Sequence, residues 1–97
     1  MKEGLEHKFD LKSLERTRLQ LSDIHDWAST PSRLRDQNSE LCLMIDNLCR
    51  VASMYNMVIA EYIENGTIAT WAPQDYIDGK ISIPIAIYKR LENKQSN

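Results

Sequence analysis

The chain has 97 residues, of which 42% are hydrophobic and 27% charged, and its formal net charge is −2 at pH 7. This length supports a single hydrophobic core, so we expect one domain over residues 1–97, and a two-domain enzyme is excluded. The charge excludes a generally basic surface for nucleic acid. With only three glycines and three prolines, few turns are expected, which favours long helices and a mainly α fold.

No stretch of the sequence approaches the roughly 18 uninterrupted apolar residues of a membrane span. The first ten residues, MKEGLEHKFD, are too charged for a secretory signal. We therefore expect a cytoplasmic protein with no membrane segment.

The first helix is predicted from Leu11 to Ala28. Asp10 precedes it as N-cap, because a carboxylate there accepts the free amide hydrogens of the first turn. Its apolar face, by helical spacing, consists of Leu14, Leu21, Ile24 and Ala28. Trp27, near the end of this helix, is expected in the core.

A second, long central helix is predicted over residues 31–64. Thr30 would be its N-cap, Pro31 suits its first turn, and Asn65-Gly66 would end it in a left-handed conformation. Its 34 residues would measure about 50 Å at 1.5 Å per residue. A helix of this length is not readily covered by the rest of a small chain, which predicts a helical hairpin or bundle completed by a partner.

Heptad spacing along the long helix supports self-association. With Leu34 at position a, apolar or amphipathic residues recur at position a over four heptads, and position d carries Gln37, Met44, Val51 and Val58. The predicted self-association residues are Leu41, Met44, Leu48, Val51, Tyr55, Val58 and Tyr62. We expect a homodimer; the alternative is a monomer in which the first helix and the C-terminal third cover this face.

The C-terminal third is rich in isoleucine. Extended segments at 67–71 and 80–83 flank a loop with Asp78-Gly79, which predicts a small β-hairpin. The alternation of isoleucines from Ile81 to Ile87 fits a strand, whereas Pro84 suits the first turn of a helix. We expect a short C-terminal helix over residues 84–93, although strand and helix both remain open for residues 81–88.

The residues that carry catalysis or bind metals are sparse. Cys42 and Cys49 lie seven residues apart in a predicted helix, about 10 Å between Cα atoms, which is too far for a disulfide. His7 and His25 lack metal-ligand spacing with these cysteines. No glycine-rich phosphate loop or catalytic triad is evident. We predict no enzymatic activity, no cofactor and no metal.

Aromatic and arginine side chains in the last third indicate a recognition surface. Trp, Tyr and Arg contribute most of the energy at protein interfaces. The predicted partner-binding residues are Trp71, Tyr76, Tyr88 and Arg90. The alternative for Trp71 and Tyr88 is packing onto the long helix.

The segment from Ile83 to Asn93 reads IPIAIYKRLEN. It resembles the Ile-Pro-x-x-aromatic helix starts of small phage and prophage accessory proteins and of small bacterial nucleoid-associated regulators. This resemblance covers only the end of the chain. It implies a compact bacterial or phage protein that binds and alters a larger host protein.

These observations predict a non-enzymatic protein–protein interaction module. It would be a bacterial or phage-encoded inhibitor or modulator that binds a larger host protein stoichiometrically, for example a nucleic-acid-processing enzyme. The alternative is a small DNA-binding transcriptional regulator built from a helix pair and a hairpin wing. That alternative requires one basic face formed by the C-terminal tail with Arg16, Arg18, Arg33 and Arg35.

Overall fold

The computed structural model of the protein describes residues 8–29 and 39–96. Within these ranges the chain forms three helices, α1 (Leu11–Ala28), α2 (Ser39–Asn65) and α3 (Pro73–Ser96), and no strand. Helix α2 packs against both α1 and α3. The mainly α class is confirmed.

Helix α1 has the predicted boundaries and the predicted cap. The Asp10 carboxylate accepts hydrogen bonds from the backbone N–H groups of Lys12 and Ser13, at 3.4 and 3.2 Å, and from the Ser13 hydroxyl at 2.9 Å. Leu14 and Ala28 are buried, whereas Ile24 and Trp27 remain exposed. The apolar face of α1 is therefore only partly covered.

The prediction of one dominant helix over residues 31–64 is wrong. Helix α2 has 27 residues, close to the 24 of α3, and the predicted start at residues 31–38 lies outside the described residues. The end follows the sequence, because Gly66 adopts a φ of 73° and its N–H donates to the Tyr62 carbonyl at 2.8 Å. This single bond from a left-handed residue is a common helix terminus.

The predicted β-hairpin is also wrong. Residues 67–71 lie in the loop that follows α2, and residues 80–83 lie inside α3, which begins at Pro73 rather than Pro84. Ile77, Pro84 and Ile87 are buried, whereas Ile83 and Ile85 are exposed. This burial recurs with helical spacing, so the packing of one helical face, rather than the isoleucine alternation, decides the structure.

The core formed by these helices is thin. Its buried hydrophobic residues are Leu14, Ala28, Cys42, Cys49, Ile77 and Ile87. Among the described residues no large side chain is fully buried. The radius of gyration is 16.3 Å, against about 12–13 Å for a compact chain of this length. The protein is an elongated helical layer in which α2 contacts both neighbours.

Candidate interaction surfaces

Helix α2 buries polar side chains and exposes apolar ones. The polar residues it buries are Asp46, Asn47 and Asn56. Its outer face carries large side chains at seven-residue intervals, which we call the heptad row: Leu41, Leu48, Tyr55 and Tyr62. Each keeps between 41% and 49% of its surface exposed. A contiguous exposed apolar row beside buried polar groups is characteristic of a surface that another molecule covers.

The seven predicted self-association residues all lie on α2. The four residues of the heptad row are exposed, and Met44, Val51 and Val58 are half-buried beside them. The face of α2 that packs within the chain lies one residue after each member of the heptad row. There Cys42, Cys49 and Asn56 are buried at the same seven-residue spacing. Two small thiols and an amide at this spacing therefore mark the inner face of α2.

An apolar groove lies between α1 and α2 and continues the heptad row. Its volume is about 510 Å³. The apolar and aromatic residues that line it are Phe9, Leu14, Leu21, Ala52, Tyr55 and Ile59. Because Tyr55 belongs both to the groove and to the heptad row, the exposed apolar surface extends from α2 onto α1.

The loop between α2 and α3 is attached to α2 by Glu61. The Glu61 carboxylate accepts hydrogen bonds from the backbone N–H and the hydroxyl of Thr70, both at 3.0 Å. The bond from the Thr70 backbone is the main reason why the pKa of Glu61 lies below its ordinary value. The hydrogen bonds fix the loop just before Trp71.

Trp71 is the most exposed large apolar side chain in the described part of the protein, with 92% of its surface accessible. The next residue, Ala72, has a φ of 46°, a left-handed conformation that is strained for a residue with a Cβ atom. Pro73 then begins α3, and the Ala72 carbonyl accepts from the N–H of Tyr76 at 3.3 Å. Trp71 therefore packs in no core and is held between Thr70 and the start of α3.

The other predicted partner-binding residues do not gather around Trp71. Tyr76 is half-buried, with the Lys80 amine 5.5 Å from its ring centre. Tyr88 is exposed but lies 12 residues further along α3, about 18 Å by helical rise. Arg90 pairs with Glu40 and so joins α3 to the beginning of α2. Tyr88 and Arg90 thus lie along α3 away from the loop that carries Trp71, whereas Tyr76 lies in the first turn of α3.

A polar contact joins α1 to α2. Nε2 of His25 lies 2.7 Å from Oδ1 of Asp46, and Nε of Arg50 lies 3.5 Å from the same oxygen. The His25–Asp46 approach lacks the alignment of a good hydrogen bond, although both atoms are buried. Asp46 therefore holds two basic side chains at the junction of these helices.

The cysteines are buried and reduced. Burial raises the pKa of the Cys49 thiol, and the neighbouring Asp46 carboxylate raises it further. Such a thiol is a poor nucleophile. Within residues 8–29 and 39–96, no group of three or more His, Cys, Asp or Glu side chains is arranged to hold a metal ion.

The basic face of the DNA-binding alternative is only partly described. On α1, Arg16 donates to Ser13 at 3.3 Å and Arg18 pairs with Glu15 at 2.6 Å. Arg33 and Arg35 lie outside the described residues. The hairpin wing that this alternative needs is replaced by a loop and part of α3.

Among the helices described, none combines the length and the apolar character needed to cross a membrane. No protein-family model matches this chain, and neither a curated protein nor a solved structure shows significant similarity to it.

Proposed function

We propose that the protein is a non-enzymatic interaction module that binds a larger protein stoichiometrically, with Trp71 as its central anchor. The observation that carries this proposal is the 92% exposure of Trp71 on a loop that is fixed on both sides. Tryptophan is among the side chains that contribute most to protein interfaces. An indole exposed to water does not contribute the hydrophobic stabilisation that its burial would give to the fold.

The fixed loop favours binding through preorganisation. The Glu61–Thr70 hydrogen bonds restrain the chain before Trp71, and the start of α3 restrains it afterwards. A loop backbone that is already ordered loses less conformational entropy when a partner covers the side chain that it carries. The strained φ of Ala72 supports the same view, because strained backbone recurs where a loop presents a functional group.

The proposed setting is a bacterial or phage protein in the cytoplasm that blocks or redirects a host enzyme, such as one that processes nucleic acid. The resemblance of residues 83–93 to phage accessory proteins supports this setting. We also propose that the module acts as a homodimer through the heptad row, which is supported by the exposure of that row beside buried polar residues.

The experiment compares the wild-type protein with Trp71→Ala as immobilised bait in a bacterial lysate. We expect the wild type to retain one protein in an equimolar amount, and the variant to lose it, at an unchanged melting temperature. The melting temperature should not move because the exposed indole contributes little packing to the folded chain.

The matched control is Leu19→Ala, which shortens another exposed apolar side chain, on α1. This variant should capture the same protein as the wild type. Equal capture by wild type and Trp71→Ala, or a marked drop in the melting temperature of Trp71→Ala, would contradict the role assigned to Trp71.

A further inference from the structure

A small cavity lies where the three helices meet, and no residue of the heptad row lines it. Its volume is about 290 Å³. Its lining residues come from α1, α2 and α3 and are Arg18, Ser22, His25, Arg50, Ser53 and Tyr76. Two of these residues are arginines and three carry hydroxyls, whereas the ring nitrogens of His25 face the carboxylates of Asp26 and Asp46 at 3.4 and 2.7 Å. Guanidinium and hydroxyl donors that line one cavity favour an anion.

The two arginines keep donors available on the cavity side. Arg50 contacts Asp46 only through Nε, at 3.5 Å, so its two terminal nitrogens have no partner among the described residues. Arg18 binds Glu15 through Nε and one terminal nitrogen, which leaves the other uncommitted. The planar guanidinium group suits the paired oxygens of a phosphate.

Asp46 supports the cavity from behind rather than lining it. Its Oδ1 atom contacts both His25 and Arg50, and its side chain is largely buried. A buried carboxylate in this place orients the two basic groups. It partly neutralises the guanidinium of Arg50 and is not among the residues that line the cavity.

Three hydroxyl groups complete the lining. Those of Ser22, Ser53 and Tyr76 form no hydrogen bond with another described residue. Hydroxyls that converge on one cavity from three helices and satisfy nothing inside the fold are available to a ligand.

We propose that this cavity binds the phosphate group of a small phosphorylated molecule. The arginines supply charge, and the serine and tyrosine hydroxyls supply neutral hydrogen bonds to the remaining oxygens. The volume lies just below the usual range for drug-sized ligands, which suits a phosphate with few additional atoms. The proposal does not rest on the interaction function, although Tyr76 belongs both to this cavity and to the predicted partner-binding residues.

The test is a titration of the full chain with inorganic phosphate and, separately, with glycerol 3-phosphate, followed by amide NMR at constant ionic strength. We expect saturable shifts centred on Ser22, Ser53 and Tyr76 at millimolar concentrations or below. Tighter binding of glycerol 3-phosphate identifies a phosphate monoester as the ligand class, and tighter binding of inorganic phosphate identifies the free anion.

The double variant Ser53→Ala/Tyr76→Phe removes two hydroxyls that have no partner in the fold. We expect it to weaken phosphate binding about tenfold while the spectrum of the free protein stays folded. Arg18→Gln should weaken binding at least as much, because its loss removes a charged donor. Tyr88→Phe, which removes a hydroxyl outside the cavity, is the control and should leave the affinity unchanged.

Three results would overturn the proposal. The first is the absence of saturable shifts at millimolar phosphate. The second is equal affinity for phosphate and for chloride titrated in the same way, and the third is equal phosphate affinity in the wild type and the double variant. Either of the last two would mean a diffuse surface charge rather than a site built from these residues.

Discussion

At the scale of single residues, Glu61 links two parts of the chain that are nine positions apart. Its carboxylate satisfies both the N–H and the hydroxyl of Thr70. Each bond favours the ionised carboxylate, which is why the pKa of Glu61 is lowered on folding. The stability that the link contributes therefore depends on pH in a defined direction.

We predict that Glu61→Gln lowers the melting temperature at pH 7, and that its difference from the wild type shrinks in acid. The unfolded chain binds a proton near the ordinary glutamate pKa of about 4.3, whereas the folded chain binds it at a lower pH. The contribution is therefore complete above that pKa and is lost as the pH falls through the lowered folded value. Thermal melts from pH 7 to pH 3 measure this.

Glu64→Gln is the matched control, because Glu64 is exposed one helical turn further along α2. The melting temperature of this variant should stay close to that of the wild type from pH 7 to pH 3. A difference between Glu61→Gln and wild type that stayed constant down to pH 3 would show that the carboxylate charge is not what holds Thr70.

Residue-scale features were predictable where their partners are close in sequence. The Asp10 cap acts within three residues, and Gly66 ends α2 by a bond to a residue four positions back. Aspartate strongly prefers the N-cap position of a helix, and glycine strongly prefers the left-handed position that ends one. The partner of Glu61 is set by the path of the loop, for which the sequence contains no local signal.

At the scale of elements, α3 forms despite two residues that disfavour helix. Gly79 and Pro84 both lie inside it, and a proline there removes a backbone hydrogen bond at a cost of about 3 kcal/mol. Pro84 is itself buried. Packing of this face against α2 therefore outweighs the local propensity.

We predict that Gly79→Ala raises the free energy of unfolding by about 0.5–1 kcal/mol. A Cβ atom at this position meets no other atom within 4 Å, so alanine adds helix propensity without a clash. Chemical denaturation measures the change.

Gly66→Ala is the paired variant with the opposite sign. It also has open space around the added Cβ atom, but its φ of 73° is left-handed. We expect a loss of about 1 kcal/mol. Equal effects of the two substitutions would contradict the assignment of Gly79 to a helix interior and Gly66 to a helix end.

Helix α3 shows why the strand predicted over residues 80–83 is wrong, whereas the helix predicted over residues 84–93 is confirmed as part of a longer helix. Ile81, Ile83, Ile85 and Ile87 alternate as in a strand, yet only Ile87 among them is buried. The buried face of α3 is formed by Ile77, Pro84 and Ile87. A search for apolar spacing that treats proline as a helix breaker leaves out Pro84 and does not find this face. Tertiary packing overrides local preference in such cases.

At the scale of the whole molecule, the heptad row is the largest unpaired feature. From Leu41 to Tyr62 it spans 21 residues, about 32 Å by helical rise. Helices α1 and α3 pack on other faces of α2 and leave it exposed. A second copy offers the same row, and two helices with apolar side chains every seven residues pack along such a seam.

We predict that light scattering after gel filtration measures twice the chain mass of 11.3 kDa, and that Leu48→Asp reduces it to the mass of one chain. A carboxylate in the middle of the seam would be buried without a partner. Leu19→Asp, on an exposed part of α1, should remain dimeric. A wild-type mass of 11.3 kDa at micromolar concentration would refute the dimer.

The positions of the heptad row were predictable from its seven-residue period, since that period does not depend on tertiary contacts. Which face of α2 turns inward was not, because Cys42, Cys49 and Asn56 are less apolar than the residues outside them. Hydrophobicity alone assigns the core to the wrong side of a helix whose strongest apolar face is left exposed.

The thin core has a consequence for the lifetime of the protein in a cell. Since no large side chain in the described helices is fully buried, we expect an isolated copy to open more readily than a well-packed domain and so to be more sensitive to proteases. Binding of any molecule to the folded form alone lowers the open population. Degradation would then remove unbound copies first, and the cellular amount of the protein would follow the supply of whatever covers its exposed face.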